Sequence, residues 1–115
     1  MASTVEEQRL DAVFTALSDR TRRDMVARLS AGEATVKELA APYAMSMQAV
    51  SQHIQVLERC GLISRGRNRQ TRPCRLEPAA LSAASGWIEE SRRMWSQRMD
   101  RLAAHLASLQ EREER

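Results

Sequence analysis

This sequence predicts a mainly α-helical fold, on three observations. Apolar residues recur at helical spacing in four successive segments and again along one long final segment. Aromatic residues make up only 3% of the chain and Leu, Ala, Met and Val supply most of the 43% that is apolar, a mix that favours helices packed on helices. The helical pattern breaks once, between residues 62 and 76, where two short extended runs flank a polar turn. Four helices, a two-stranded β-hairpin and a last helix, with a short third helix tightly connected to a polar fourth, give the order of a winged helix-turn-helix. At 115 residues the chain is long enough for one such domain and too short for two that each bury a core.

The first helix is expected over residues 5–17, where Leu10, Val13, Phe14 and Leu17 follow the i, i+3, i+4, i+7 spacing of one face. Asp19 is the expected N-cap of a second helix that buries Met25, Val26 and Leu29 and stops at Gly32. A short third helix runs over 36–41 and is limited by Pro42, because proline lacks the N–H that a helix interior needs. Ser46 caps a fourth, ending at Gly61. Strands at 62–65 and 73–76 flank the turn 66–71, with Pro73 confining the second strand to an edge or bulge. From Pro78 a long helix runs towards Gln110. Along it Leu81, Ile88, Trp95, Leu102 and Leu109 recur every seventh residue, with Met99 and Leu106 beside them, as in a coiled-coil seam.

The fourth helix carries the functional signal. At about 100° per residue, Val50, Ile54 and Leu57 fall on one side while Gln48, Gln52, Gln55 and Arg59 fall on the other, with Ser51 on a flank. A solvated helix face usually mixes Glu and Lys; this one presents neutral amides and hydroxyls, then an arginine. Gln can donate to and accept from adenine together, Ser can contact a base or a phosphate, and no carboxylate repels the DNA backbone. The hairpin that follows supplies Arg65, Arg67, Arg69, Arg72 and Arg75 without an acid. Net charge is only +3, yet residues 46–76 hold six arginines against Glu58 alone, which leaves that window at +5 and the remainder at −2. Like charge clustered in this way calls for an anion, and phosphates supply it. Expected DNA contacts are therefore Ser46, Gln48, Ser51, Gln52, Gln55 and Arg59 on the helix, and Arg65, Arg67, Arg69 and Arg72 on the hairpin. A second class stays open, a helical interaction module whose basic hairpin binds RNA or an acidic protein.

Other functions find little support. No apolar run approaches the roughly 18 to 20 residues that cross a bilayer, so no membrane partner is expected. The opening MASTVEEQRL carries acids and no apolar segment, so no signal peptide is expected and the chain should stay in the cytoplasm. Cys60 and Cys74 then read as thiols; their spacing fits no zinc pattern. The two histidines and two cysteines form no pair at catalytic spacing, and neither a glycine-rich phosphate loop nor a paired-carboxylate motif is present, so no enzyme and no cofactor are expected. His53, about 60° off the core direction, reads as a boundary histidine with a structural or phosphate-contacting role.

The stretches ALSDRTRRDMVARL, TVKELA and AVSQHIQVLERCGLISRGR, with the last helix GWIEESRRMWSQRMDRLAAHL, resemble the ArsR family of transcriptional regulators over nearly the whole chain. The resemblance implies a homodimeric repressor on an inverted-repeat operator, with an interface built by the first and last helices. On that reading Leu10, Val13, Leu81, Ile88, Trp95, Met99, Leu102 and Leu106 face the partner. Trp87 and Trp95 are then interface anchors, or line a pocket for a small-molecule effector of unknown identity. Metal-sensing members of the family carry Cys pairs in or beside the third helix, or His and Asp ligands on the last. Here the third helix reads VKELAAPY, and Asp100 and His105 stand about 140° apart around the last one, so no metal site is expected; the Trp-rich last helix resembles that of the non-metal-sensing subgroup.

Overall fold

The computed structural model describes residues 4–68 and 70–114. Five helices and one hairpin follow in the expected order: α1 (Thr4–Leu17), α2 (Arg20–Leu29), α3 (Val36–Ala40), α4 (Met47–Arg59), β1 (Ile63–Arg65), β2 (Cys74–Leu76) and α5 (Pro78–Glu114). The starts of α2, α3 and α4 are each set by a side chain that satisfies an otherwise orphaned N–H. Asp19 accepts from the Arg22 N–H, Thr35 forms a reciprocal capping box with Glu38, and Ser46 accepts from the Ala49 N–H. After α4 the chain turns at Gly61, whose φ of +85° lies in the left-handed region that glycine adopts without a Cβ penalty.

The chain divides into two compact units, one up to Ala84 and the other from Ser85 on. In the first, α2, α3 and α4 pack Met25, Val26, Leu29, Leu39, Val50, Ile54 and Leu57 into one apolar cluster with Leu62, Ile63 and Cys74 of the hairpin. Burying a side chain of this size stabilises by roughly 1.5 to 3 kcal/mol, which is what holds such short elements together. Val13, expected at a dimer interface, is only 3% exposed. It belongs to the protomer's own core, because the α1 face that carries Ala16 also carries Val13, and it has no surface left for a partner. Leu10 and Leu81 are half-buried and pack against the same cluster.

The hairpin is antiparallel, with Ile63 opposite Leu76, Ser64 opposite Arg75 and Arg65 opposite Cys74. It also has a bond that sequence reasoning did not foresee. The N–H of Cys74 donates to the Ala34 carbonyl at 2.7 Å and the N–H of Ala34 donates back to the Cys74 carbonyl at 3.1 Å, tying the segment before α3 to β2. Pro73 stands just before β2, and its carbonyl accepts from the Gly66 N–H at 2.8 Å. A Cβ on Gly66 would come within 2.8 Å of the Pro73 ring, so this closing position requires glycine. In the second unit the α5 seam is solvent-facing: Ile88, Met94, Trp95, Met99, Leu102, Leu106 and Leu109 are all exposed.

Candidate nucleic-acid interface

Helix α4 has two faces of opposite chemistry. Val50, Ile54 and Leu57 are buried, whereas Gln48, Gln52, Gln55 and Arg59 are exposed, and Ser51 lies between them half-buried. Because the buried face fixes the helix against α2 and α3, the amide face has only one direction to point, outward. Ser46 uses its hydroxyl as the N-cap, accepting from Ala49 N–H at 3.1 Å, so its side chain is engaged in starting the helix. No acid stands among these positions; Glu58, the one carboxylate of α4, is exposed beside Arg59 in the sequence.

Beside this helix the hairpin presents its arginines. Arg67 and Arg72 are exposed, Arg69 lies outside the described residues, and Arg75 is exposed on the strand face opposite buried Cys74. Arg65 is half-buried and its Nε donates to the Arg72 carbonyl at 2.9 Å, which commits part of its guanidinium to shaping the turn. The Asn68 side chain accepts from Gln70 N–H at 3.0 Å and the Asn68 carbonyl from Arg72 N–H at 2.7 Å. Arg72 adopts φ +32°, a left-handed conformation costly for a residue with a Cβ. The geometry thus offers hydrogen-bonding amides on a rigid helix and guanidinium groups on a closed turn next in sequence, the two chemistries that duplex DNA takes at base edges and at phosphates.

Electrostatics elsewhere support the scaffold. The Arg22 backbone N–H, ahead of the charge of the Arg22 side chain, holds the Asp19 carboxyl below its ordinary value of 3.8. Hydrogen bonds from Thr35 lower Glu38 likewise. Burial pushes the Tyr43 hydroxyl up, with a hydrogen bond to Asp24 adding to it. Burial also raises the Cys74 thiol, which disfavours its thiolate. Among the described residues no three His, Cys, Asp or Glu side chains come together as a metal-ligand set, and no helix is long and apolar enough to cross a membrane.

His53 is half-buried at the boundary of the core, and its ring is engaged. Its Nδ1 lies 3.2 Å from Arg22 Nη1 and 3.8 Å from Asp19 Oδ2. The role of Arg22 was missed in the sequence, although a signal was present. The first turn of α2 holds arginines and no acid, against the sense of the helix dipole, and a residue kept there against that field has another task.

Residues 17–65 match the family model described as a helix-turn-helix domain. The chain is 40% identical to the HTH-type transcriptional regulator Rv2034 of Mycobacterium tuberculosis over 73 residues, 64% of this chain and 68% of that protein. It is 29% identical to the transcriptional repressor SdpR of Bacillus subtilis over 79 residues, 69% of this chain and 88% of that one. A crystal structure of an ArsR family transcriptional regulator superposes with a TM-score of 0.72 at 38% identity, covering 76% of this chain and 97% of the other. An amide-faced helix followed by an arginine wing, on a scaffold shared at this level of identity, places the chain in the ArsR family of winged helix-turn-helix, DNA-binding transcriptional regulators.

Proposed function

We propose that the protein is a homodimeric repressor that reads an inverted-repeat operator with Gln48, Gln52 and Gln55 of α4 in the major groove. Ser51 and Arg59 flank those contacts, and Arg67, Arg69 and Arg72 of the wing reach phosphates or the adjacent minor groove. One observation carries this reading: the exposed amide face stands directly opposite the buried face of α4, so its direction is fixed by the core. The dimer follows from the exposed seam on α5, whose leucines, methionines and Trp95 need a partner surface, with Leu10 of α1 contributing. Repression is the mode that the likeness to the transcriptional repressor SdpR suggests, and its own promoter is the operator to test first.

The test is a footprint of the protein on the DNA upstream of its own coding gene. An inverted repeat with half-sites about one helical turn apart, protected symmetrically, is the expected result. Preference for single-stranded RNA or an acidic protein over any duplex would favour the interaction-module reading and defeat this one. Zinc, cadmium, nickel and arsenite are expected to leave the reduced protein on its DNA, since two imidazoles contributed by His105 of both chains stay short of the three or four ligands that zinc takes. Stoichiometric, reversible release by any of these ions would contradict that.

A further inference from the structure

We propose that Arg22 is a positioning residue for DNA reading, setting the roll of α4 through a single hydrogen bond to His53. The inference rests on the reading that the outward face of α4 contacts bases. Arg22 sits where three elements meet. Its Nε donates to the Ala16 carbonyl at 2.7 Å and its Nη2 to the Thr15 carbonyl at 3.3 Å, both in the last turn of α1. Its own backbone N–H donates to Asp19 at 3.0 Å at the start of α2. Its Nη1 in turn donates to His53 Nδ1 at 3.2 Å, across thirty-one residues of chain.

Among the described residues, those that seat α4 in the core are apolar. Val50, Ile54 and Leu57 fix its distance from the core, but hydrophobic packing is non-directional, and a helix on an aliphatic bed can roll by some degrees at small cost. A hydrogen bond is directional and weakens steeply when misaligned. His53 lies between Gln52 and Gln55 in the sequence, so a roll that breaks its bond to Arg22 also swings the amides. A guanidinium gives up no proton in a protein and carries only donors, so Nδ1 must be the acceptor. The ring engaged in this bond is therefore neutral, with its proton on Nε2, and Asp19 at 3.8 Å is too far to take a competing bond.

The experiment compares wild type, His53→Leu, His53→Asn and His53→Gln on a duplex enriched by the wild-type protein from a random-sequence library, and on random duplex. Thermal unfolding of each variant is recorded in parallel. His53→Leu should lower the ratio of selected to random affinity roughly ten-fold, as much as one mismatched base pair, with random-duplex binding unchanged. His53→Asn sets an amide oxygen at the place of Nδ1 and should restore most of the ratio; His53→Gln sets it one atom too far and should not. If His53→Leu fails to fold, the Asn and Gln variants make the same comparison, and equal ratios in those two overturn the proposal. So does a wild-type ratio in His53→Leu, or an equal loss on both duplexes with a smaller salt slope, which would make His53 a phosphate contact. Failure of the wild type to enrich any sequence would remove the base-reading assignment, and this inference with it.

Discussion

Helices α4 and α5 carry apolar stripes of similar regularity, yet the protomer completes one and leaves the other unfinished. In α4 the stripe is sealed against the protomer's own core and the polar face is what remains outside. In α5 beyond Ser85 the apolar seam itself remains outside, with Trp95 63% exposed. An aliphatic surface left in water and an amide surface left in water ask for different partners. The first gains by excluding solvent against a matching helix, and the second by exchanging water for fixed donors and acceptors. On the proposed reading, one chain thus presents an assembly surface and a reading surface.

The sharpest way to break this contrast is at the seam. Trp95→Ala should destabilise the assembled protein by roughly 3 to 5 kcal/mol, enough to dissociate or unfold a small obligate dimer, and sedimentation at micromolar concentration measures it. A wild-type chain that sediments as a stable monomer and still binds DNA would end the assembly assignment. At the reading surface, Gln52→Ala should weaken selected DNA by roughly 1 to 3 kcal/mol and random duplex hardly at all. Equal weakening on both would take Gln52 out of base reading. Arg67→Ala should act on both duplexes alike and lessen the slope of log affinity against log salt by about 1. An unchanged slope would take Arg67 off the phosphates.

A smaller effect lies in the scaffold of the first unit. Asp19 is held below its ordinary carboxyl value when folded, so its contribution is present above that value of 3.8 and is lost as pH falls through the lowered one. Asp19→Asn, which keeps a good cap, should flatten the acid limb of a stability-against-pH curve and leave neutral stability nearly unchanged. A variant whose acid limb matches wild type would remove Asp19 from acid unfolding.

The helices and the outward amide face were legible because spacing alone determines them. Val50, Ile54 and Leu57 at 3.6-residue periodicity leave Gln48, Gln52 and Gln55 no other side. Asp19, Ser46 and Pro78 mark helix starts by local chemistry and needed no tertiary information. What spacing could not supply was how the chain divides its apolar residues between its own core and a partner. Val13 and Ile88 look alike in a helical wheel, but only three-dimensional packing buries the first and exposes the second. Contacts between residues far apart in sequence were equally out of reach. The Arg22 to His53 bond and the Ala34 to Cys74 bridge join segments thirty-one and forty residues apart, and neither residue type announces its partner.

The closure of the wing at its neck has a consequence for how such a protein changes. Gly66 and Pro73 hold the two strands together below the turn, and Cys74 is pinned on its other side to Ala34. The described residues between Gly66 and Pro73 thus hang from a closed neck, as a tool bit does from its chuck. Lengthening such a turn is cheap, since each doubling of a flexible loop costs only about 0.6 kcal/mol more in closure entropy. The tip can be exchanged for sequences of other length and charge while the helices keep their packing, so on the proposed reading grip on the DNA backbone is free to diversify independently of base reading by α4.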